Sequence, residues 1–333
     1  MKILLTGGTG YIASHTAVVL AQAGHQITLF DNLSNSHKSV LGSLEKILES
    51  GVPFVEGDVR DTKSLSEVIR KNHIDAVIHF AGLKSVAESV SNPMLYYANN
   101  VQGTISLLQA MQDNGLKKIV FSSSATVYGA PQYLPYDEEH PLKPMNPYGQ
   151  TKLQVEELLL DISRSDPGWS IACLRYFNPV GAHFSGLIGE NPSGIPNNLM
   201  PYVSRVAIGQ LSELSIFGND YDTRDGTGER DYIHVMDLAE GHMAAINFLE
   251  KNSGWYAINL GTGQAQSVMD LVYSFEKASG KHIARKFVDR RPGDLPVYFA
   301  KADQAKILLG WKASRTLDNM CESTWNFQMK STR

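Results

Sequence analysis

Gly7-Gly8-Thr9-Gly10-Tyr11-Ile12-Ala13 stands directly behind the apolar run Ile3-Leu4-Leu5 and at the head of a helical pattern. The stretch satisfies G-x-x-G-x-x-A and, from Gly8, also G-x-G-x-x-A. Such a turn needs glycine for a tight bend, free N–H groups for a pyrophosphate, and a small residue where helix meets strand. Ala13 in the last position adds one methyl to that contact, which the fingerprint tolerates. A glycine-rich turn alone is weak. The strand before it, the helix after it and Asp31 at the end of the second apolar run make it strong. Gly7, Gly10 and Asp31 are therefore candidate dinucleotide ligands, and a carboxylate at position 31 suits the ribose diol of NAD(H) rather than the 2′-phosphate of NADP. Asp58, after Phe54-Val55-Glu56-Gly57, stands where a third strand ends. Its spacing fits a reach toward adenine and, equally, a turn or helix-cap aspartate.

Working outward, further short apolar runs recur at Ile27–Phe30, Ala76–Phe80, Ile119–Phe121 and Ile171–Leu174. Continuous apolarity over so few residues means burial on both faces, as in a parallel sheet. Helical periodicity near 12–22, 62–72, 94–113 and 149–163 separates them. The alternation predicts an α/β chain with a doubly wound, Rossmann-type parallel sheet. The pattern loosens after Tyr176. Residues 178–201 carry four prolines and four glycines, a loop length that in a compact protein is usually functional or disordered. Beyond it, helices near 199–209, 236–250, 268–279 and 316–329 mix with short strands near 232–235, 256–260 and 284–288. The expected division is a dinucleotide-binding domain over 1–176 and a smaller C-terminal α/β substrate domain over 177–333, with some segments returning to the first sheet.

Composition narrows the class. The chain has 333 residues, 43% of them hydrophobic and 19% charged, so disorder and fibrous architecture are excluded. A formal charge of −4 builds no basic field for nucleic acid or an anionic membrane. Two distant cysteines, Cys173 and Cys321, exclude a disulfide framework and a paired-cysteine metal site. Neither a signal-peptide core nor an 18-residue apolar run is present, so a cytoplasmic location is expected.

Tyr148-Gly149-Gln150-Thr151-Lys152 opens a helical pattern after Pro147, and its spacing puts phenol and ammonium on one face. With 14 tyrosines in the chain such pairs arise by chance, and Tyr273–Lys277 is a second. That one lies inside an amphipathic helix with no serine-bearing strand feeding it, and is read as structural. The first follows Ile119-Val120-Phe121-Ser122-Ser123-Ser124, a strand whose carboxyl end delivers hydroxyls where ligands bind in doubly wound folds. Tyr148, Lys152 and Ser124 are the candidate catalytic group. A tyrosine acting as base near neutrality must lose about 3 pKa units, roughly 4 kcal/mol. A cation about 4 Å away at an effective dielectric near 20 supplies about that much. Lys152 together with an oxidised nicotinamide suffices at longer range. No G-x-S-x-G, G-x-x-x-x-G-K-[ST] or H-E-x-x-H competes with this reading, and the histidines are scattered, His79 reading as a core imidazole.

Together these features resemble the extended short-chain dehydrogenase/reductases, and longer strings resemble the UDP-galactose 4-epimerase family within them. They include His79-Phe80-Ala81-Gly82-Leu83-Lys84, Ser122 to Gly129, Leu174 to Ala182, Ile195-Pro196-Asn197-Asn198-Leu199-Met200-Pro201 and Gly228 to His234. The likeness runs nearly end to end. It implies tightly held NAD, UDP-glucose and UDP-galactose as substrates, C4 epimerisation through a transient 4-keto sugar, the galactose branch of sugar metabolism and a homodimer. Position by position it makes Tyr148 the base, Lys152 its electrostatic partner and ribose ligand, and Ser124 a hydrogen-bonding relay at the sugar 4-oxygen. It places Tyr11, Ile12, Asp31, Asn32, Asn35, Asp58, Val59, Phe80, Ala81, Gly82, Lys84, Asn99 and Phe177 against NAD. Asn178, Asn198, Leu199, Phe217, Arg230, Arg291, Asp294 and Tyr298 are implied to hold the nucleotide and line the pocket. Arg230 and Arg291 suit a diphosphate, whereas Arg290 reads as a solvated surface charge. A bulky residue at Tyr298 implies weak action on N-acetylated sugars.

Two other readings compete. A sugar-nucleotide 4,6-dehydratase shares fold and cofactor but carries Asp-Glu after the strand's hydroxyl residue, where Ala125-Thr126 stand here. A non-catalytic NAD-sensing protein has little reason to keep the tyrosine–lysine pair beside Ser124.

Overall fold

The computed structural model describes every residue except 193–195, 197, 292, 332 and 333, so Ile195 and Asn197 of the string quoted above lie outside the described residues. Seven strands, β1 (Lys2–Thr6), β2 (Gln26–Asp31), β3 (Phe54–Glu56), β4 (Ala76–His79), β5 (Lys118–Ser124), β6 (Ser170–Tyr176) and β7 (Gly254–Leu260), form one sheet. Its order is β7-β6-β5-β4-β1-β2-β3, and neighbouring strands all run parallel. The apolar runs end up here because both faces are covered. Ile3 and Leu5 join Ile78, Val120 and Leu174 under the helices Tyr11–Gln22 and Val235–Leu249. Leu4 joins Val77, Ile119, Phe121, Ile171 and Cys173 on the opposite face, under Thr62–Asn72, Gly103–Asp113 and Pro147–Ser165. Adjacent residues of one strand thus feed two cores. The chain winds outward from β1 to β3, then returns to β4 on the other side of β1. A ligand crevice opens at the carboxyl ends of the strands at that switch point.

Residues 94–113 depart from the single helix their periodicity predicts. Pro93–Tyr96 is α-helical, Tyr97–Gln102 is a π-helical turn and Gly103–Asp113 resumes the α-helix. The side chain of Asn100, inside the wide turn, exchanges hydrogen bonds with the Leu83 backbone (2.8 and 3.0 Å) and donates to Thr151 Oγ1 at 3.1 Å. These bonds offset the cost of the irregular turn. A further helix, Ser39–Leu48, buries only Leu44 completely and was not among the periodic stretches read from sequence.

The later part of the chain builds a third core from Val203, Ile216, Tyr232, Leu271, Phe275 and Met320. Small sheets flank it: Leu214–Phe217 with Arg285–Val288, Asn178–Val180 with Tyr232–His234, and Glu229–Arg230 between Gln266–Ser267 and Val297–Tyr298. The helix Val235–Leu249 and strand β7 belong to the first sheet's layers rather than to this core. Among the described residues no helix is long and apolar enough to cross a membrane, and no group of His, Cys, Asp or Glu is placed to hold a metal ion.

Four histidines are locked inside as neutral groups. His79 Nδ1 and Nε2 meet Thr6 Oγ1 (2.6 Å) and Thr104 Oγ1 (2.9 Å). His242 Nδ1 donates to Leu238 O at 2.8 Å, so Nε2 accepts from the Tyr176 phenol. His15 Nδ1 donates to Tyr11 O at 2.7 Å, and His234 Nδ1 accepts from the Met236 amide at 3.0 Å. Burial pushes His15, His79 and His234 down to about 3 and His242 to about 4. Unfolded, each takes a proton near pH 6.5. Below that pH the unfolded chain binds more protons than the folded one. Stability is therefore level above 6.5 and falls as pH drops toward 4, by about 1.4 kcal/mol per group per pH unit. Urea denaturation at about pH 7.5 and 5.5 is expected to show a lower midpoint at the acid pH; equal midpoints contradict the assignment.

Candidate active site

A cavity of about 1390 Å³ runs from the carboxyl ends of β1 and β4 to the third core. Its wall brings together Gly7, Gly10, Tyr11, Ile12, Asp31, Asn32, Asn35, Val59, Phe80, Ala81, Gly82, Lys84, Asn99 and Phe177 from the cofactor set read in sequence. Asn178, Asn198, Leu199, Phe217, Arg230, Arg291, Asp294 and Tyr298 line it too, as do Ser124, Tyr148 and Lys152. Asp58 does not. Its carboxylate accepts from the Arg60 amide (2.9 Å), the Arg60 guanidinium (2.7 Å) and Asn32 Nδ2 (3.1 Å), and the Arg60 contacts hold it well below the usual carboxylate range. Its neighbours Gly57 and Val59 line the wall, and the cap of the next helix is Asp61 rather than Asp58.

At the β1 end, the glycine turn is as tight as its sequence requires. Gly7 has φ +65°, and a Cβ there would lie 2.8 Å from the Ala81 amide nitrogen. The helix Tyr11–Gln22 is capped at Gly10 by no side chain, and Gly10, Tyr11, Ile12 and Ala13 line the cavity, so no side chain competes for its first N–H groups. Asp31 accepts from the Thr9 amide (3.1 Å), the Leu33 amide (2.8 Å) and Ser36 Oγ (3.1 Å), which folds the loop after β2 around the turn. A glycine cradle, an uncapped helix N-terminus and an acidic residue at the strand end fit a dinucleotide.

The reacting end sits between β5 and the helix Pro147–Ser165. Asn146 caps that helix, accepting from the Gly149 amide at 2.9 Å, and Pro147 occupies its first position. Gly149 lets the helix approach closely, since a Cβ there would meet Thr126 O at 2.9 Å. Tyr148 is thereby held in the first turn and Lys152 one turn later. Lys152 Nζ donates to Ser122 O at 2.7 Å and lies 5.9 Å from the Tyr148 ring centroid. Burial lowers Lys152 to about 8, opposed by the charge of Glu156. The Tyr148 phenol is raised by burial, while the Ser124 hydroxyl draws it back. Lys152 is therefore mostly an ammonium at neutral pH beside a protonated phenol, and added positive charge nearby would ease the phenol's ionisation.

The far end carries the cations. Arg230 pairs with Asp294 at 2.7 Å, and Arg291 lies over the Phe217 ring, 3.9 Å from its centroid. Arg290 turns outward to Asp220 at 2.7 Å. Tyr298 packs edge-on against the ring of Tyr136 (5.0 Å between centroids) and tilted against Phe177 (5.2 Å), and its buried hydroxyl has no hydrogen-bond partner. The second Y-x-x-x-K stays structural: Tyr273 is exposed and Lys277 bonds Asp318 at 2.7 Å.

Sequence reasoning missed Glu190. From the 178–201 loop its carboxylate accepts from Lys84 Nζ (3.0 Å) and Asn198 Nδ2 (2.6 Å), tying two candidate ligands across the cavity. The loop's Pro and Gly content marked the segment but not the residue. Tyr176, which lines the wall beside Tyr148, was also missed because it reads as one more strand residue. Asp31, Glu190 and Asp294 are the carboxylates on the wall among the described residues, and each is engaged as above. Positions 125 and 126 add none.

Residues 4–324 match the family model described as GDP-mannose 4,6 dehydratase. The chain is 55% identical to the UDP-glucose 4-epimerase of Bacillus subtilis (strain 168), covering 98% of this chain and 97% of the relative. Among solved structures it is similar to the UDP-glucose 4-epimerase of Stenotrophomonas maltophila with bound NAD and formylated UDP-arabinopyranose. That likeness has a TM-score of 0.98 and 48% identity, over 100% of this chain and 99% of that one. It is also similar to the Bifidobacterium longum UDP-glucose 4-epimerase in complex with NAD⁺ and UDP, with a TM-score of 0.96 and 49% identity over 100% and 99% of the two chains.

Proposed function

The chain belongs to the family described as GDP-mannose 4,6 dehydratase and, within it, to the UDP-glucose 4-epimerases; we propose how its own residues carry out that reaction. The reaction is NAD-dependent inversion at C4, interconverting UDP-galactose and UDP-glucose. The observation that carries the division of roles is the buried group Ser124, Tyr148 and Lys152 at the carboxyl end of β5, with Ala125 and Thr126 rather than an acid–base pair following Ser124. A 4,6-elimination needs an acid–base pair there. Removal and return of one hydroxyl proton needs only one tyrosine, as phenolate to take it and as phenol to give it back.

Bound NAD supplies an oxidised, positively charged nicotinamide that takes up and gives back the C4 hydrogen, with a 4-keto sugar in between. Tyr148, ionised under the combined positive charge of Lys152 and an oxidised nicotinamide, takes the proton of the sugar 4-hydroxyl as a phenolate and returns it to the inverted alkoxide. Lys152 holds a positive charge near the phenol, and Ser124 hydrogen-bonds the 4-oxygen. Gly7, Gly10, Asp31 and the amides of Tyr11 and Ile12 bind the dinucleotide, within a cofactor unit over 1–176. Arg230, Arg291, Asn178, Asn198, Leu199 and Phe217 grip the UDP from a unit over 177–333. A sugar that must present both faces to one hydrogen donor is held loosely, so binding energy belongs on the nucleotide.

The reading extends to a cytoplasmic homodimer. Met94 is 81% exposed and Leu95 and Ile105 are 43% and 42% exposed, on the helical segments before and after the π turn. A second copy would cover these apolar side chains.

Tyr148→Phe is expected to abolish turnover, by about 10³-fold or more, while UDP affinity by calorimetry stays within a few-fold; a fully active variant sinks the assignment. Tyr298 fills the wall with a ring, so UDP-N-acetylglucosamine is expected to be a poor substrate and Tyr298→Cys to accept it better. Comparable rates on both sugars in the unaltered protein contradict that. Light scattering is expected to give twice the chain mass, and Met94→Glu with Ile105→Glu half of it; a monomeric unaltered protein overturns the dimer.

A further inference from the structure

Behind the reacting group lies a buried polar row that the proposed roles do not use. Ser123, Arg175 and Asn259 stand in register across β5, β6 and β7. Glu156, one helical turn after Lys152, lies against this row. Glu156 and Arg175 have side chains only 2% exposed and pair at 2.6 Å, with Arg175 Nε also donating to both carboxylate oxygens at 3.1 and 3.2 Å. Ser123 Oγ donates to Glu156 Oε1. On the other side, Arg175 Nη1 donates to the Tyr128 hydroxyl at 3.0 Å, which donates to Asn259 Oδ1 at 2.7 Å.

Taking an ion pair this far out of water is costly, and well-packed apolar residues of similar size are usually no less stable. Stability alone therefore does not account for it. Its placement does: three consecutive serines are each held differently. The Ser122 carbonyl holds Lys152, the Ser123 hydroxyl is held by Glu156, and the Ser124 hydroxyl faces Tyr148. A strand end and a helix start, which no local hydrogen bond forces into one height, are pinned at the reacting level.

We propose that Ser123, Glu156 and Arg175 form a positioning unit for the epimerisation, which fixes the strand end bearing Ser124 against the helix bearing Tyr148 and Lys152 and sets a negative charge one turn from the Lys152 ammonium. The inference rests on the roles given above to Tyr148, Lys152 and Ser124. The groups facing Lys152 are Tyr148 and Glu156 on its own helix, His79 on β4 and, through Glu156, Arg175 on β6. His79 is neutral above about pH 3, so Glu156 supplies a fixed negative charge that helps keep Lys152 protonated whichever form Tyr148 takes. Without that charge Lys152 loses its proton at lower pH, and activity that needs the ammonium is lost earlier as pH rises.

The test compares kcat, KM and the pH profile of kcat for UDP-galactose in the holoenzyme, Ser123→Ala, Glu156→Gln and the apolar pair Glu156→Leu with Arg175→Met. The paired change leaves no unpartnered charge, and Glu156→Gln keeps the shape should the pair not fold. Both Glu156 changes are expected to lower kcat about ten-fold or more with KM within about three-fold, and to move the alkaline loss of kcat about one pH unit lower. Ser123→Ala is expected to lower kcat without moving the profile. Folded Glu156 variants with kcat and profile as in the unaltered protein overturn the inference. An unaltered protein that does not epimerise UDP-galactose overturns instead the roles on which it rests.

Discussion

A buried ammonium next to a buried phenol is the constraint around which this molecule is arranged. Desolvation opposes both charged forms, lowering Lys152 and raising Tyr148. The ammonium survives at neutral pH because the Ser122 carbonyl accepts from it at 2.7 Å and Glu156 lies one turn away. Those partners come from a strand end and a helix flank. The sheet must therefore hold β5 and the helix Pro147–Ser165 at one relative height, and the two cores on its faces do so.

The same sheet sets the distance from the cofactor turn to the reacting group. Gly7 packs against the backbone of Ala81 where β1 and β4 diverge, and Asn100 ties Leu83, two residues on, to Thr151 in the helix that carries Tyr148. A short covalent and hydrogen-bonded path thus links the dinucleotide end to the phenol. Net charge is no guide to the cations of the cavity wall. The chain is mildly acidic as a whole, yet Arg230 and Arg291 face the cavity.

Much of this was legible in the amino-acid order because the signals are local. An apolar run of four residues, a glycine turn and a cap-plus-proline helix start each declare themselves within a few residues, and so did β1, the turn and the entry to Tyr148. What stayed hidden depends on partners far apart in sequence. The π turn at Tyr97–Gln102 reflects Asn100 reaching Leu83 and Thr151. Glu190 is tied across the cavity by Lys84, which lies more than a hundred residues earlier. Glu156 reads as an ordinary helix carboxylate until Arg175 and Ser123 close on it. The ion pair of Asp58 with Arg60, two residues away, was likewise not apparent from strand-end spacing.

The central claim is that one buried phenol and its lysine partner move a single proton while the C4 hydrogen leaves and returns inside the same site. The most direct measurement is incubation of the purified protein and NAD with UDP-galactose carrying deuterium at C4. UDP-glucose with the deuterium still on C4 is expected. Absence of UDP-glucose, or accumulation of NADH in proportion to the sugar consumed, contradicts it.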